Sequence, residues 1–217
     1  MKAVVIGATG ATGRALVRQL LATEWVTQVI VLVRRASFER QSKLEEHIID
    51  FAHLEGFRDL IVGDLAFSCL GTTLQDAGSK EAQWMVDYTY QYNFAQLAYQ
   101  NGIPTFVLQS AMNANPSSKL FYSRMKGELE ENIKIIGFEK LIMCKPSFLI
   151  RPKSTRLLER LSVRLFQGFR FIGLFEDYAP LSVDVVANAM IQSTLKCTQR
   201  VNELSVGDLE RLNTEQK

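Results

Sequence analysis

Short apolar runs alternate along the whole chain with segments whose apolar residues recur every three or four positions. The runs, rich in Val and Ile, predict strands over residues 2–6, 26–33, 47–51, 60–69, 105–110, 140–145 and 203–206. Gly63 and Asp64 mark a turn or bulge inside the fourth run, and Pro146 stops the sixth. The periodic segments predict helices over residues 11–22, 77–100, 117–136, 155–169 and 183–195. Asn101-Gly102 supplies a C-terminal stop, and Pro180 stands before the last helix. Residues 213–217 are polar and read as a frayed end.

Strand, helix, strand in repetition predicts an α/β chain: a doubly wound parallel sheet covered on both faces. Right-handed crossovers favour the order 3-2-1-4-5-6, with room for a short seventh strand. The 217 residues suffice for one sizeable core, and no repeat, linker or low-complexity segment divides them. Residues 1–217 therefore read as one domain.

Composition adds mainly exclusions. Net charge is +2, so no basic field calls for nucleic acid. No apolar run reaches the roughly 18 residues of a membrane span. The run from Ala3 to Ile6 is too short for a signal peptide and reads as the first strand. Cys69, Cys144 and Cys197 are odd in number and lack metal-type spacing. They read as reduced thiols, hence a cytoplasmic location. No metal site is expected, and His47 and His53 read as structural.

The chemistry concentrates first in VVIGATGATGRALVRQLL. Gly7, Gly10 and Gly13 stand three apart between the first strand and the first helix. In a doubly wound sheet this turn lies at the switch point, where ligands bind. Gly7 allows a tight turn, Gly10 removes a side chain that would block a pyrophosphate, and Gly13 lets the helix pack closely. Backbone N–H groups at Thr9, Gly10, Ala11 and Thr12 then face phosphate at the helix start. The spacing is G-x-x-G-x-x-G, not the G-x-G-x-x-G of the standard dinucleotide fingerprint, and its context raises its weight.

NAD sites place an acid about 20 residues on, to hold the ribose 2′-OH. Here the second strand ends VLVRRAS, so Arg34 and Arg35 replace the acid, with Ser37 nearby. Guanidinium groups there suit a 2′-phosphate and favour NADPH over NADH. Asp50 and Phe51 either flank the adenine or serve as a cap and a core residue.

Tyr122 and Lys126 are four apart in a helical segment, and Ser110 ends the fifth strand. Carbonyl reduction needs such a trio. The phenol exchanges a proton with the substrate oxygen, a nearby ammonium lowers the phenol's pKa, and the serine hydroxyl holds the oxygen in place.

Together these pieces resemble the short-chain dehydrogenase/reductase superfamily. They are most similar to its atypical branch, the NAD(P)H-binding proteins like the HIV Tat-interacting oxidoreductase. GATGATG, FSCLGTT, Val86-Asp87 with Tyr90, FYSRMKGELE, CKPSFLIRP and PLSVDVVANAM carry the likeness, over nearly the whole chain. The resemblance implies a Rossmann fold with the cofactor in the glycine cleft. It implies that Leu70, Gly71 and Thr72 line the cofactor and that Lys126 touches the nicotinamide ribose. Backbone after Pro146, at Ser147 and Phe148, would lie near the nicotinamide. Residues 151–217 would contribute a small substrate-side lobe, closed by the segment from Pro180 to Asp184. Three features depart from the pattern: Lys145-Pro146-Ser147 replaces Arg-Pro-Gly, Ala111 follows Ser110, and Asp87 lies near the place of a relay Asn.

The expected activity is NADPH-dependent reduction of a small carbonyl compound. The alternatives are an NADPH-binding redox sensor without turnover, in which a loop at Tyr178 responds to occupancy, and a flavin or quinone reductase. A homodimer or protein partner could cover the aromatic long helices, although a core face reads the same. RLLERLSVRLFQGFRF reads as an amphipathic helix over the active site, or as a surface for a membrane or partner. No integral membrane segment is expected.

Overall fold

The computed structural model describes residues 1–147, 149–150 and 179–214. The first strand, β1 (Lys2–Ile6), is KAVVI, buried from Ala3 onward, as a strand covered on both faces must be. The helix α1 (Ala11–Ala22) follows, then β2 (Gln28–Val33) and β3 (Leu44–Ile48). A 3₁₀ segment spans Phe51–Leu60, and β4 (Leu65–Ser68) comes next. Two short helices, α2 (Leu74–Ala77) and α3 (Lys80–Trp84), lead through a π turn at Met85–Thr89 into α4 (Tyr90–Gln100). Then come β5 (Thr105–Gln109), α5 (Phe121–Ile136), β6 (Lys140–Cys144) and the two-residue β7 (Leu149–Ile150). After residue 178 follow β8 (Leu181–Ser182), α6 (Val183–Lys196), β9 (Val201–Leu204) and α7 (Val206–Thr214).

The main sheet is parallel, in the order β3-β2-β1-β4-β5-β6-β9. It is the doubly wound Rossmann arrangement, with the seventh strand present at its edge. The separate ladder β7-β8 pairs Leu149 with Leu181 and Ile150 with Ser182. Alternate strand residues feed two cores. Val5, Val31, Phe67, Val107 and Ile142 pack with Leu16, Leu20, Val186 and Met190 of α1 and α6. Val4, Ile30, Ala66, Phe106 and Leu141 pack on the other side with Phe94, Leu129 and Ile133 of α4 and α5.

Some boundaries differ from the sequence expectation, each for a local reason. The third strand lies at Leu44–Ile48, because Asp50 caps a 3₁₀ turn through the N–H of Ala52 and ends any extension to Phe51. The fourth begins only at Leu65, because Gly63 turns at φ +157° and Asp64 accepts from the N–H of Lys2. The long helix expected over 77–100 is broken by Gly78 at φ +84°, by the Ser79 cap on the N–H of Ala82 and by the π turn. The fifth helix starts at Phe121 rather than residue 117. Residues 206–214, expected in part as strand and frayed end, form α7. The helix expected over 155–169, residues 151–178 of the substrate-side lobe, Phe148 and Tyr178 lie outside the described residues.

Candidate cofactor and active site

The sheet reverses its direction of growth between β1 and β4, so the ends of these strands open the crevice where a doubly wound sheet binds ligands. Gly7 stands there with φ +74°, and a Cβ on it would lie 2.3 Å from the carbonyl carbon of Cys69. At Gly13 a Cβ would lie 2.1 Å from the Gly7 carbonyl oxygen, so α1 starts against the turn itself. Gly10 differs: a Cβ there would meet only the Gly7 oxygen, at 3.3 Å, and the residue is exposed. Two glycines thus shape the turn, and the third keeps its outer side open. Thr9 is exposed beside it, Ala11 packs against the core, and Thr12 is buried.

Thr9, Arg34, Arg35 and Ser37 line one cavity of about 370 Å³. Both arginines are exposed, and neither is paired with a carboxylate among the described residues. Glu46 accepts from the N–H of Ser37 at 2.7 Å, and the Ser37 hydroxyl donates to the Arg35 carbonyl, so the turn carrying them is tied down. Asp50 caps the 3₁₀ segment and Phe51 is a core residue. Asp50 is held by the Ala52 N–H and by His53 at 2.8 Å, whose hydrogen bond keeps its carboxyl below the usual value. Phe51 is buried against Tyr90, with ring centroids 5.8 Å apart.

Leu70, Gly71 and Thr72 follow β4 on the far side of the crevice. Three buried polar residues grip this loop: Gln83, Asp87 and Gln91. Gln83 donates to the Thr72 carbonyl at 3.1 Å, Asp87 accepts from the Thr72 N–H at 2.8 Å, and Gln91 donates to the Leu70 carbonyl at 3.2 Å. Gln91 also accepts from Ser68 at 2.8 Å. The sequence reading did not single out the two glutamines. Their signal was present, since 83, 87 and 91 are spaced by four and share one helical face.

Lys126 of α5 is 2% exposed, and its Nζ lies 3.9 Å from Asp87 Oδ1 and 3.5 Å from the Gln109 carbonyl oxygen. Asp87 Oδ1 and Gln109 Oε1 are buried and lack a hydrogen-bond partner among the described residues. Burial lowers the pKa of Lys126, while Asp87, Glu130 and Cys69 hold it up. Burial likewise raises Asp87, and Lys126 and the Thr72 N–H counter it. Unsatisfied acceptors beside a buried ammonium fit a polar ligand, such as a ribose diol, that can both donate and accept.

Tyr122 stands one turn before Lys126 and is 41% exposed. Its phenol is not activated as expected. Burial of the hydroxyl end and the charge of Asp87 push it up to about 12, so it holds its proton at neutral pH. Ser110 also departs from the expected role. It is 5% exposed, and its hydroxyl donates to Glu130. Glu130 in turn meets Lys145 at 2.9 Å, and Lys145 meets Glu203 at 2.6 Å. The lysine that replaces the family's arginine is therefore part of an ion network under Ser110. Pro146 accepts through its carbonyl from the Met112 N–H at 3.1 Å, and Ser147 donates to the Ala179 carbonyl. These bonds tie the loops after β5 and β6 together and to the segment before β8.

The three cysteines are free. Burial pushes Cys69 up to about 12 and raises Cys144 as well, so neither is a ready nucleophile. No group of three or more potential metal ligands occurs among the described residues. No helix among them is long and apolar enough to cross a membrane.

A glycine turn at the switch point and a tyrosine–lysine pair across the crevice define a dinucleotide-binding protein of the short-chain dehydrogenase/reductase class. The NAD(P)H-binding family profile matches residues 7–134, and the chain belongs to that family, in its atypical branch. It is 30% identical to protein fmp52-1, mitochondrial, of Aspergillus terreus over 206 residues, 90% of this chain and 88% of that one. It is 31% identical to protein HTATIP2 of Rattus norvegicus over 150 residues, 67% of this chain and 62% of that one. In fold it resembles MoeE5 in complex with UDP-glucose and NAD, with a TM-score of 0.73 at 15% identity, covering 100% of this chain and 82% of that chain.

Proposed function

We propose that the protein is an NADPH-dependent reductase of a small carbonyl compound. The carrying observation is that exposed, protonated Tyr122 and buried Lys126 stand one turn apart on α5 and both face Asp87. Gly7, Gly10 and Gly13, with the backbone of Thr9, Ala11 and Thr12, would hold the pyrophosphate at the start of α1. Arg34, Arg35 and Ser37 would take the 2′-phosphate, which is the reason for preferring NADPH to NADH. Leu70, Gly71, Thr72, Pro146, Ser147 and Phe148 would wall the nicotinamide half, and Asp50 and Phe51 would stand behind the adenine side. Lys126 would hold the ribose diol.

The hydride for such a reduction would come from the nicotinamide cofactor when it is bound. Tyr122 gives its hydroxyl proton to the carbonyl oxygen, so the product is an alcohol. Ser110 would accept from the hydroxyl of the alcohol product, because its own proton is directed to Glu130. The chain acts as one domain, with residues 151–217 forming the substrate side. The reduced thiols support a cytoplasmic location; the mitochondrial names of the fungal relatives point to the other compartment. Fractionation of cells decides between them.

The Ser110–Glu130 bond favours a second reading, an NADPH-binding sensor without turnover, because it removes one donor from the trio. The deciding experiment is NADPH oxidation by the purified protein against a panel of aldehydes, ketones, quinones and flavins. Carbonyl turnover lost in Tyr122→Phe supports the reductase. Tight NADPH binding with no turnover supports the sensor. Flavin or quinone turnover indifferent to that substitution overturns the tyrosine role.

A further inference from the structure

The crevice has two walls that come from distant parts of the chain. One is the loop at residues 70–73, after β4; the other is Lys126, on α5. Asp87 touches both. Its Oδ2 accepts from the Thr72 N–H at 2.8 Å, and its Oδ1 lies 3.9 Å from Lys126 Nζ. Asp87 is fully buried, and Oδ1 has no hydrogen-bond partner among the described residues. The residue sits in a π turn, a local widening of the helix that often marks a functional position. Gln83 and Gln91, one turn to either side, hold the carbonyls of Thr72 and Leu70. Gln91 also donates to the Asp87 carbonyl at 2.8 Å, fixing the turn itself.

We propose that Asp87 is a positioning residue for the cofactor: one oxygen fixes the loop wall, and the other supplies the counter-charge that keeps Lys126 an ammonium. A buried lysine gives up its proton readily when nothing opposes the cost of desolvation. The groups that face Lys126 are Asp87 from the π turn, Glu130 from α5, Cys69 at the end of β4 and the Gln109 carbonyl of β5. Of these, Glu130 is engaged by Ser110 and Lys145, and Cys69 is a protonated thiol at neutral pH. Tyr122, which faces Asp87, is protonated too. Asp87 is thus the carboxylate left to balance the lysine. It does so without a close bond, so Oδ1 keeps its hydrogen-bonding capacity unused among the described residues.

The inference rests on the ribose lying at Lys126, as in the function proposed above. The test compares the parent with Asp87→Asn, which keeps an acceptor for the Thr72 N–H and removes the charge. NADPH affinity is measured by fluorescence titration from pH 7 to 10. In the Asn variant the loss of affinity with rising pH should set in about one pH unit or more below that of the parent. Adding Lys126→Met to that variant should abolish the pH dependence. An NMR titration of the Lys126 Nζ signal without cofactor should show the same displacement. Coincident midpoints in the variant and the parent overturn the proposal. If the parent binds no NADPH, the proposed function falls, and the Nζ titration still decides the pairing. Should Asp87→Asn fail to fold, Lys126→Met examines the pair from the other side. Its buried Asp87 would then favour the neutral form, so its stability should fall relative to the parent's as pH rises from 5 to 8. Parallel profiles would overturn the pairing.

Discussion

The hydroxyl of Ser110 donates its single proton to Glu130, a carboxylate whose side chain is 4% exposed and whose other oxygen meets Lys145. A hydroxyl has one proton to give. The serine that the family pattern casts as a holder of substrate oxygen is therefore directed inward.

The energetic weight of that arrangement can be measured. Glu130→Ala leaves a buried hydroxyl and part of an ammonium unpaired and should destabilise the protein by about 3 kcal/mol. Ser110→Ala should cost about 1 kcal/mol. A double-mutant cycle in urea should return a coupling of about 1 kcal/mol or more. Additive losses would mean that the bond does not persist in solution.

The three glycines should separate by role. Gly13→Ala forces a Cβ to 2.1 Å from backbone oxygen and should destabilise by about 3 kcal/mol or more. Gly10→Ala meets only one atom, at 3.3 Å, so its stability should change by about 1 kcal/mol or less. Its NADPH affinity should nonetheless fall about tenfold, because the new methyl occupies the open side of the turn. Denaturation and titration on both variants check the pair. Equal stability losses would contradict the division between shaping and open glycines.

The contrast between glycines also shows what was legible beforehand. Spacing and context pointed to the turn and to the sheet order, because each β-branched run had to be buried on both faces. The break of the long helix was hidden, since residues on both sides of Gly78 and the π turn keep a helical rhythm. The Ser110–Glu130 bond joins residues 20 positions apart, and no local pattern encodes it. Nor does spacing reveal that Asp87 sits close enough to Tyr122 to help raise its pKa rather than leave it activated by lysine. Local periodicity reports which face is buried; it does not report which charges the fold brings together.

The arginines at the end of β2 should decide cofactor choice. Arg34→Ala and Arg35→Ala each remove a cation that is unpaired among the described residues, beside a cavity of about 370 Å³. Loss of a charge-assisted bond of about 2 kcal/mol corresponds to roughly a thirtyfold loss of NADPH affinity. NADH affinity should stay within about threefold, since it has no 2′-phosphate to lose. Equal losses for both cofactors would sink the phosphate assignment.

The ion network beyond Glu130 should shape the pH dependence of stability. Burial alone would lower Lys145 and Lys134, but hydrogen bonds to Glu203, with Glu130 or Glu131, raise both above their usual 10.5. Those same bonds from the two lysines hold Glu203 below its usual 4.5. For a lowered acid, the contribution is present above the unfolded value and lost as pH falls through the folded one. For raised lysines it is present below the unfolded value and lost as pH rises through the folded one. Glu203→Gln should therefore lower the thermal midpoint between about pH 5 and pH 10, and the two curves should converge in stronger acid. A constant offset down to pH 2 would assign the loss to packing instead.

Tyr122 offers the sharpest separation of chemistry from structure. It is 41% exposed, and its hydroxyl makes no hydrogen bond among the described residues, so Tyr122→Phe should leave stability within about 0.5 kcal/mol of the parent. NADPH affinity should also hold, because the ribose is assigned to Lys126. With its proton retained up to about pH 12, the phenol is a donor throughout the physiological range. Removing a positioned proton donor costs about 10²–10⁴ in rate. Carbonyl reduction should fall by that factor with folding and binding intact. Substitution by phenylalanine with undiminished carbonyl turnover would remove the tyrosine from the mechanism, and solvent would then have to supply the proton.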